Sequence, residues 1–348
     1  MFESPWNSSY VRGYDGKYTF DDTYFFTFYS EFGNRDFEAT VEACFLGGTL
    51  IASLLTNLSL IVPLMAAKTR SVTNHYALNL ATADVLFAVG VPVVMAVRLD
   101  PRWPLGDAFC RLLPYSQLVC GFMVLWSLTL ISIERYRCLT LDPRFSISAS
   151  SAFFVNVIMW VFALTLFSPI VFWFRYESDL HVCTLMFPRA GIKVSLLFTI
   201  IITSFTCIIP LAILVFNYQR IILKMVETHQ KWSTPCVQTS SLTRQEQARL
   251  NKHIRVMRIA LLNVFVVLLM WLPITVVLVL IYVDGDRHMD DTNFFLRSHH
   301  FLWSLLIALL NTAVNPFLCG ALRSSCWAHQ DNGSRSISRI LRVASSFN

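Results

Sequence analysis

Seven long apolar stretches dominate this chain of 348 residues. A helix that crosses the bilayer core of about 30 Å needs about 20 predominantly apolar residues. Six of the stretches contain no Asp, Glu, Lys or Arg, and the remaining one contains only Asp84. In chain order, spans 1 to 7 are Ala43–Ala67, His75–Val97, Leu112–Ile133, Phe145–Phe174, Val194–Gln219, Ile259–Val283 and Ser298–Leu322. Only 14% of the residues are charged, so the sequence predicts an all-α, seven-helix membrane bundle.

The loops between the spans differ in charge. The segment from Arg220 to Arg258 holds eight basic residues against two acidic ones, whereas residues 1–38 hold seven acidic and three basic ones. Because basic loops remain in the cytoplasm, we expect the N-terminus outside the cell and the C-terminal tail inside. The net charge of +6 then reflects orientation in the plasma membrane and does not indicate a nucleic-acid partner.

This topology divides the chain into three parts. Residues 1–40 are predicted to form an extracellular tail, residues 41–328 the seven-helix domain, and residues 329–348 a cytoplasmic tail. Asn7 begins an Asn-Ser-Ser sequon and is the expected glycosylation site. A short amphipathic stretch after span 7 is expected to form an eighth, cytoplasmic helix, followed by Cys326 as a candidate for palmitoylation.

Two of the nine cysteines are expected on the extracellular side. Cys110 lies at the head of span 3, and Cys183 lies in the loop between spans 4 and 5. Since that compartment is oxidising, we expect a disulfide that holds the loop over the mouth of the bundle. The alternative is that both are unrelated free thiols.

Asp84 is the only ionisable residue predicted at mid-membrane depth. A carboxylate there costs about 2.5–3.5 kcal/mol on insertion scales, so it must face other polar groups. Asn57, Asn311 and Asn315 are its predicted partners. Asp84, Asn311 and Asn315 would hold a sodium ion, or the group is a hydrogen-bonded cluster without an ion. No other cofactor is indicated.

Two further features concern the helices themselves. Glu134-Arg135-Tyr136 ends span 3 at the cytoplasmic surface, where the acid would hold the neighbouring guanidinium. Taken alone, the triplet is better explained as an ordinary basic helix end. Bends are expected in four spans because proline removes a backbone hydrogen bond. These prolines are Pro169, Pro210, Pro273 and Pro316.

Each span carries a residue that matches a family pattern. In order they are Asn57, Leu80-Ala81-Thr82-Ala83-Asp84, Cys110 with Glu134-Arg135-Tyr136, Trp160, Pro210 with Tyr218, Trp271-Leu272-Pro273 and Asn315-Pro316. With this order and spacing, residues 41 to about 328 resemble the rhodopsin-like (class A) G-protein-coupled receptors.

The resemblance implies a two-state receptor rather than an enzyme. An agonist beneath the extracellular loop would shift Trp271 and swing span 6 outward at Pro273. Arg135 would then leave Glu134 and meet a heterotrimeric G protein. Receptor kinases and arrestin would act on the cytoplasmic tail. The residues assigned to coupling and switching are Glu134, Arg135, Tyr136, Tyr218, Asn315 and Pro316.

Three departures from the family pattern bear on that switch. Cys319 stands where a Tyr is usual, so a water bridge from that Tyr to Tyr218 cannot form. Val124 replaces a Ser that usually completes a sodium site, and His253 replaces an acid that often pairs with Arg135. We therefore expect a weakened inactive state with signalling in the absence of ligand.

The resemblance also narrows the ligand. Leu309 stands where opsins carry the retinal-binding Lys, and Gln117 stands where aminergic receptors carry an Asp. Other segments look like the long-chain free fatty acid receptors, the fourth type in particular. These segments are Val91–Arg98 with Trp103, Cys110–Tyr115, Cys183–Pro188 and Met270–Ile274.

Arg98 matches an Arg proposed to bind the fatty acid carboxylate in that family. At the outer end of span 2 its guanidinium could pair bidentately with an anion. Alternatively it extends to the lipid head groups or pairs with Asp100. An apolar slot beneath it would take the acyl chain. The predicted ligand-binding residues are Arg98, Gln117, Phe122, Trp271 and Trp303.

A peptide agonist is the competing hypothesis. The N-terminal tail combines tyrosines with acids, and residues 284–291 add four more aspartates. Sulfated tyrosines among acids would suit a basic peptide, although solubilising charge is the more common reason for such a tail. A transporter or channel would need more than one charged group along its path, which Asp84 alone does not supply.

Overall fold

The computed structural model describes residues 25–27, 36–67, 71–99, 103–140, 147–178, 182–186, 194–233, 265–277 and 302–319, with residues 262 and 279. Six helices of this part are long and apolar enough to cross a membrane, and Phe265–Val277 is a shorter apolar helix in span 6. The predicted seven-helix bundle is confirmed. Asn7, Asp100, His253, the stretch after span 7 and the cytoplasmic tail lie outside the described residues.

The helices mostly extend beyond the apolar runs that predicted them. Their bounds are Asp36–Ala66 in span 1, Val72–Val89 and Val91–Leu99 in span 2, Gly106–Thr140 in span 3, Ala149–Trp173 in span 4, Val194–Ile202 and Ile209–Ser233 in span 5, and Leu302–Cys319 in span 7. Span 4 begins late because the Ser148 side chain accepts a hydrogen bond from the Ser151 N–H and caps the helix. In span 5, residues Thr203–Ile208 form a π-helical segment just before Pro210.

Span 3 forms the centre of the bundle. Of its most apolar stretch, 72% is buried, against 17% for span 4. The outward faces of spans 1 and 4 carry large exposed apolar side chains such as Leu55 and Ile158. A contiguous apolar exterior of this kind suits lipid and not water.

A small antiparallel sheet, which the sequence analysis did not predict, lies on the extracellular side. It consists of β1 (Phe25–Thr27), β2 (Phe174–Glu177) and β3 (Val182–Met186), in the order β1-β3-β2. Cys183 of β3 is bonded to Cys110 at the head of span 3, with their Cα atoms 5.5 Å apart. The predicted disulfide is confirmed, and the alternative of two free thiols is excluded.

Candidate functional site

The outer end of span 2 carries a buried ion pair. Arg98 Nε donates to Oε2 of Glu42 in span 1 at 2.5 Å, and the two side chains are only 3% and 4% exposed. The guanidinium is therefore turned into the protein and does not extend to the lipid head groups. Glu42 precedes the apolar run that predicted span 1, and sequence reasoning missed it. An acid at the edge of that run, on the same side of the membrane as Arg98, was the available signal.

The helix that carries Arg98 is a separate segment of span 2. Gly90 joins Val72–Val89 to Val91–Leu99, and the outer helix packs mainly on span 1. The side chain of Met95 in this helix packs over Gly47 of span 1, where a Cβ built at Gly47 would lie 3.4 Å from Met95 Cε. The ion pair and this contact together fix the outer part of span 2 against span 1.

Gln117 lies deeper, at the break in span 2. A Cβ built at Gly90 would lie 3.2 Å from both Gln117 Nε2 and Leu113 Cδ1. Glycine at position 90 thus makes room for the buried Gln117 amide. Along the inner face of span 2, this amide lies between the Arg98 end and the middle of the bundle.

Trp271 lies at the middle of the bundle. Its ring stacks on Phe87 with centroids 6.2 Å apart, and a Cβ built at Gly121 would lie 3.3 Å from its Cη2 atom. Its Nε1–H donates to Asn311 Oδ1 at 3.1 Å. Trp271 is thus packed by spans 2 and 3 and tied by a hydrogen bond to span 7.

The structure does not bring Phe122 and Trp303 to the same place. Phe122 packs in an aromatic cluster with Trp126, Phe162 and Phe167, on the side of span 4. Trp303 contacts Phe45 of span 1 and is partly exposed. Of the five predicted ligand residues, Arg98, Gln117 and Trp271 follow one another down the bundle interior.

Two hydroxyl groups in the π-helical segment of span 5 were not anticipated. Thr203 and Thr206 are buried, and neither Oγ1 atom has a hydrogen-bond partner among the described residues. Buried polar atoms of proteins are nearly always satisfied, so these hydroxyls are available to a ligand or to water. Trp126 Nε1–H donates to the carbonyl of Phe205 and fixes this segment to span 3.

The predicted polar cluster around Asp84 divides into three contacts. Asn315 Nδ2 donates to both carboxylate oxygens of Asp84, at 3.2 and 3.1 Å. Asn57 Nδ2 instead donates to the Thr312 carbonyl at 2.9 Å and joins spans 1 and 7. Asn311 joins spans 6 and 7 through Trp271. Only Asn315, of the three predicted amides, contacts the carboxylate directly.

The residues around Asp84 fit a hard cation in their chemistry. The Oδ1 atoms of Asn57 and Asn315 are buried and have no hydrogen-bond partner in the described part of the chain. With the Asp84 carboxylate they provide oxygen ligands of the type that hard cations prefer. Asn311 Oδ1 already accepts from Trp271. The buried Val124 provides no oxygen ligand.

The cytoplasmic end of span 3 lines a small cavity. Arg135 lies there with Asn74, Ile131 and Cys319, so the residue that replaces the usual Tyr faces the same space as Arg135. The Oε2 atom of Glu134 lies 3.9 Å from Nη1 of Arg137, which is one turn further along the helix. Tyr136 packs against the core, and Tyr218 and Pro316 are buried in spans 5 and 7.

Comparison with known proteins agrees with this architecture. Residues 56–318 match the model of the 7 transmembrane receptor (rhodopsin family), which is well over half of the chain. The chain belongs to this family. It is therefore a multi-pass membrane receptor that couples to heterotrimeric G proteins, and it is not an enzyme.

Individual relatives are distant. The chain is 26% identical to Free fatty acid receptor 4 of Mus musculus over 296 residues, which cover 80% of this chain and 78% of the relative. It is also 26% identical to Somatostatin receptor type 3 of Rattus norvegicus over 287 residues, covering 81% and 65%. Neuropeptide Y receptor type 2 of Mus musculus is 26% identical over 267 residues, covering 74% and 66%. Relatives named for a fatty acid and for peptides are thus equally similar.

Proposed function

We propose that this receptor responds to a long-chain fatty acid or a related lipid anion. The observation that carries the proposal is the Arg98 guanidinium, buried at the outer end of span 2 and already in contact with a carboxylate, that of Glu42. A position that holds one carboxylate in an apolar surrounding is suited to the head group of another. Charge-assisted contacts of this kind are also the strong ones.

The depth of the bundle below Arg98 suits a long acyl chain. Phe87, which stacks on Trp271, precedes Arg98 by eleven residues in span 2. At a rise of 1.5 Å per residue this separation is about 16 Å along the helix axis. Phe87, Leu113 and Trp271 are buried and apolar, so a ligand with its anion at Arg98 would extend its chain towards Trp271.

The extracellular sheet supports an apolar ligand as well. The loop strands β2 and β3 are tied to span 3 by the disulfide, and β1 of the N-terminal segment adds a third strand at the far edge. A sheet that is tied to the head of span 3 would restrict entry from the water. A lipid can enter between spans from the bilayer, whereas a folded peptide needs an open mouth.

We also infer how the signal would pass through the bundle. A ligand that reaches Trp271 would disturb its hydrogen bond to Asn311 and so alter the contact between spans 6 and 7. Arg135 would then engage the G protein from the cytoplasmic cavity that it lines. In this proposal Glu134, Tyr136, Tyr218, Asn315 and Pro316 control the two states, and receptor kinases and arrestin end the signal.

A peptide agonist is the second candidate. It is favoured by the somatostatin and neuropeptide Y receptors, which match at the same identity as the fatty acid receptor. It is also favoured by the acids of residues 1–38 and 284–291. Those segments lie largely outside the described residues, so they support a peptide agonist through their negative charge alone.

The test is G-protein activation in cells that express the receptor, with octadecenoic acid and a peptide extract as agonists. Three receptors are compared: the wild type, the double variant Glu42→Gln/Arg98→Gln, and Arg111→Gln as a control. Arg111 belongs to a half-exposed ion pair with Asp107 on the same side of the membrane. The double variant removes both buried charges together, which keeps the outer site neutral.

A response to the acid in the wild type and the control, absent in the double variant at equal surface expression, supports the lipid. A different outcome is that the acid does not activate the receptor, whereas the peptide extract does and loses this activity after protease treatment. The receptor is then a peptide receptor.

A further inference from the structure

The Glu42–Arg98 pair has a physical property that a purely structural contact does not need. Both side chains are almost fully buried, and the cost of removing two charges from water is often as large as their attraction. Such pairs therefore contribute little net stability compared with well-packed apolar residues. Ionisable residues inside a membrane span more often mark a functional site.

We propose that Glu42 competes with the carboxylate of the ligand for Arg98, and thereby sets the acyl chain length to which the receptor responds. The inference rests on the proposed function, because it assigns a role within the same site. Glu42 presents to Arg98 the same chemical group as a fatty acid does. The two carboxylates compete, because binding both to a single buried guanidinium would leave one negative charge unbalanced in an apolar surrounding, which is costly.

Competition with a tethered group would produce a preference for long chains. Glu42 is part of the same molecule, so its effective concentration at Arg98 is far above that of a dissolved acid. A free acid displaces it only when the acyl chain contributes enough apolar contact, and that contact grows with each methylene. Short acids share the head group but lack the contact, so they do not displace Glu42.

The position of Glu42 in span 1 indicates which way its displaced carboxylate would turn. Helical side chains lean towards the N-terminus of their helix, which for span 1 is the extracellular end. One turn nearer that end, the position beside Glu42 is occupied by the small Ala39. Ala39 is buried, and the partly exposed Glu38 lies beside it. The displaced carboxylate would turn towards this end of the helix, while the packing of Met95 over Gly47 still joins the two helices.

The experiment measures binding to purified receptor in lipid nanodiscs and G-protein activation in cells. The probes are octadecenoic acid, octanoic acid and methyl octadecenoate, which has the chain without the charge. For Glu42→Gln we expect the half-maximal concentration of octadecenoic acid to fall about tenfold, and octanoic acid to become an agonist. The response to the ester stays unchanged. Asp107→Asn, which neutralises the acid of the half-exposed pair and keeps an acceptor for the Tyr176 N–H, leaves all three responses as in the wild type.

Two results overturn the inference in distinguishable ways. In the first, octadecenoic acid activates Glu42→Gln at the same concentration as the wild type, or only at a higher one. Glu42 is then a structural partner of Arg98, and the proposed function still stands. Octadecenoic acid that binds neither receptor removes the proposed function and the inference together. Glu42→Asp is the second variant should Glu42→Gln fold poorly. It keeps the charge on a shorter side chain, and the gain in potency for octadecenoic acid is then intermediate.

Discussion

The outer end and the middle of this bundle treat a buried charge in opposite ways. At the outer end, Arg98 is balanced by the carboxylate of Glu42. In the middle, the hydrogen bonds that Asp84 accepts from the described residues come from the neutral amide of Asn315. A charge that is balanced within the protein can be released only by a competing ion. A charge that is held by amides alone still attracts a cation or a proton. We therefore propose that the outer site recognises an anion and that the middle site responds to a cation.

Removal of the outer cation has the largest expected effect. Arg98→Gln leaves the buried Glu42 carboxylate without the guanidinium, and loss of one partner from a buried pair costs about 3–5 kcal/mol. The midpoint of thermal unfolding in detergent should fall clearly, and Glu42→Gln in the same chain should restore most of the loss. If the double variant lowered the unfolding midpoint by the sum of the effects of Arg98→Gln and Glu42→Gln, the two charges would not interact.

Crowding of Trp271 tests the middle of the bundle next. Gly121→Ala places a methyl group 3.3 Å from a ring that Phe87 and the bond to Asn311 hold in place. Overpacking should cost about 1–3 kcal/mol, and ligand-free G-protein activation should change because the ring must shift.

Gly48→Ala is the matched control, since no atom of the described residues beyond the local helix backbone lies within 4 Å of a Cβ at that position. Unfolding midpoints and basal activities are compared for both variants. Equal behaviour of the two would mean that the Trp271 ring yields without consequence.

A smaller effect is expected from sodium at Asp84. At a concentration ten times its dissociation constant, an ion that binds only the folded state stabilises it by about 1.4 kcal/mol. The unfolding midpoint of the wild type should be higher in sodium chloride than in N-methylglucamine chloride. Asp84→Asn should abolish the difference, and Val124→Ser should enlarge it by adding a hydroxyl oxygen. A midpoint that is indifferent to sodium in all three proteins supports a polar cluster without an ion.

The smallest effect belongs to the exposed ion pair of Arg111 and Asp107, whose side chains are 35% and 46% exposed. Pairs in contact with water contribute at most about 1 kcal/mol, so Arg111→Gln should hardly move the unfolding midpoint. High salt should weaken this pair and leave the buried pair unaffected. If Arg111→Gln lowered the unfolding midpoint as much as Arg98→Gln does, the buried and the exposed pair would not differ in their contribution to stability.

Much of the candidate site could be named from the sequence, but its contacts could not. Asn57, Asp84, Asn311 and Asn315 were recognised because polar residues are costly at membrane depth. The structure assigns them different partners, and those partners depend on how the helices rotate against each other. Gln117 was predicted as a ligand residue from its position in the family pattern. Its contact with Gly90 could not be predicted, because it depends on the break in span 2. Phe122 was expected near the ligand because it is apolar and in span 3, yet its ring faces span 4.

The apolar runs determined the number and the order of the spans, because each helix satisfies its own backbone and the bilayer fixes its length. The charge of the loops determined their direction, because basic loops remain in the cytoplasm. The disulfide also followed, since only two cysteines were expected in the oxidising compartment. The tertiary structure alone decided that Arg98 meets Glu42, 56 residues away, that Trp271 meets Asn311, and that a strand near the N-terminus joins the extracellular sheet. These contacts join separate segments, and a linear pattern of hydrophobicity carries no information on which face of one helix meets another.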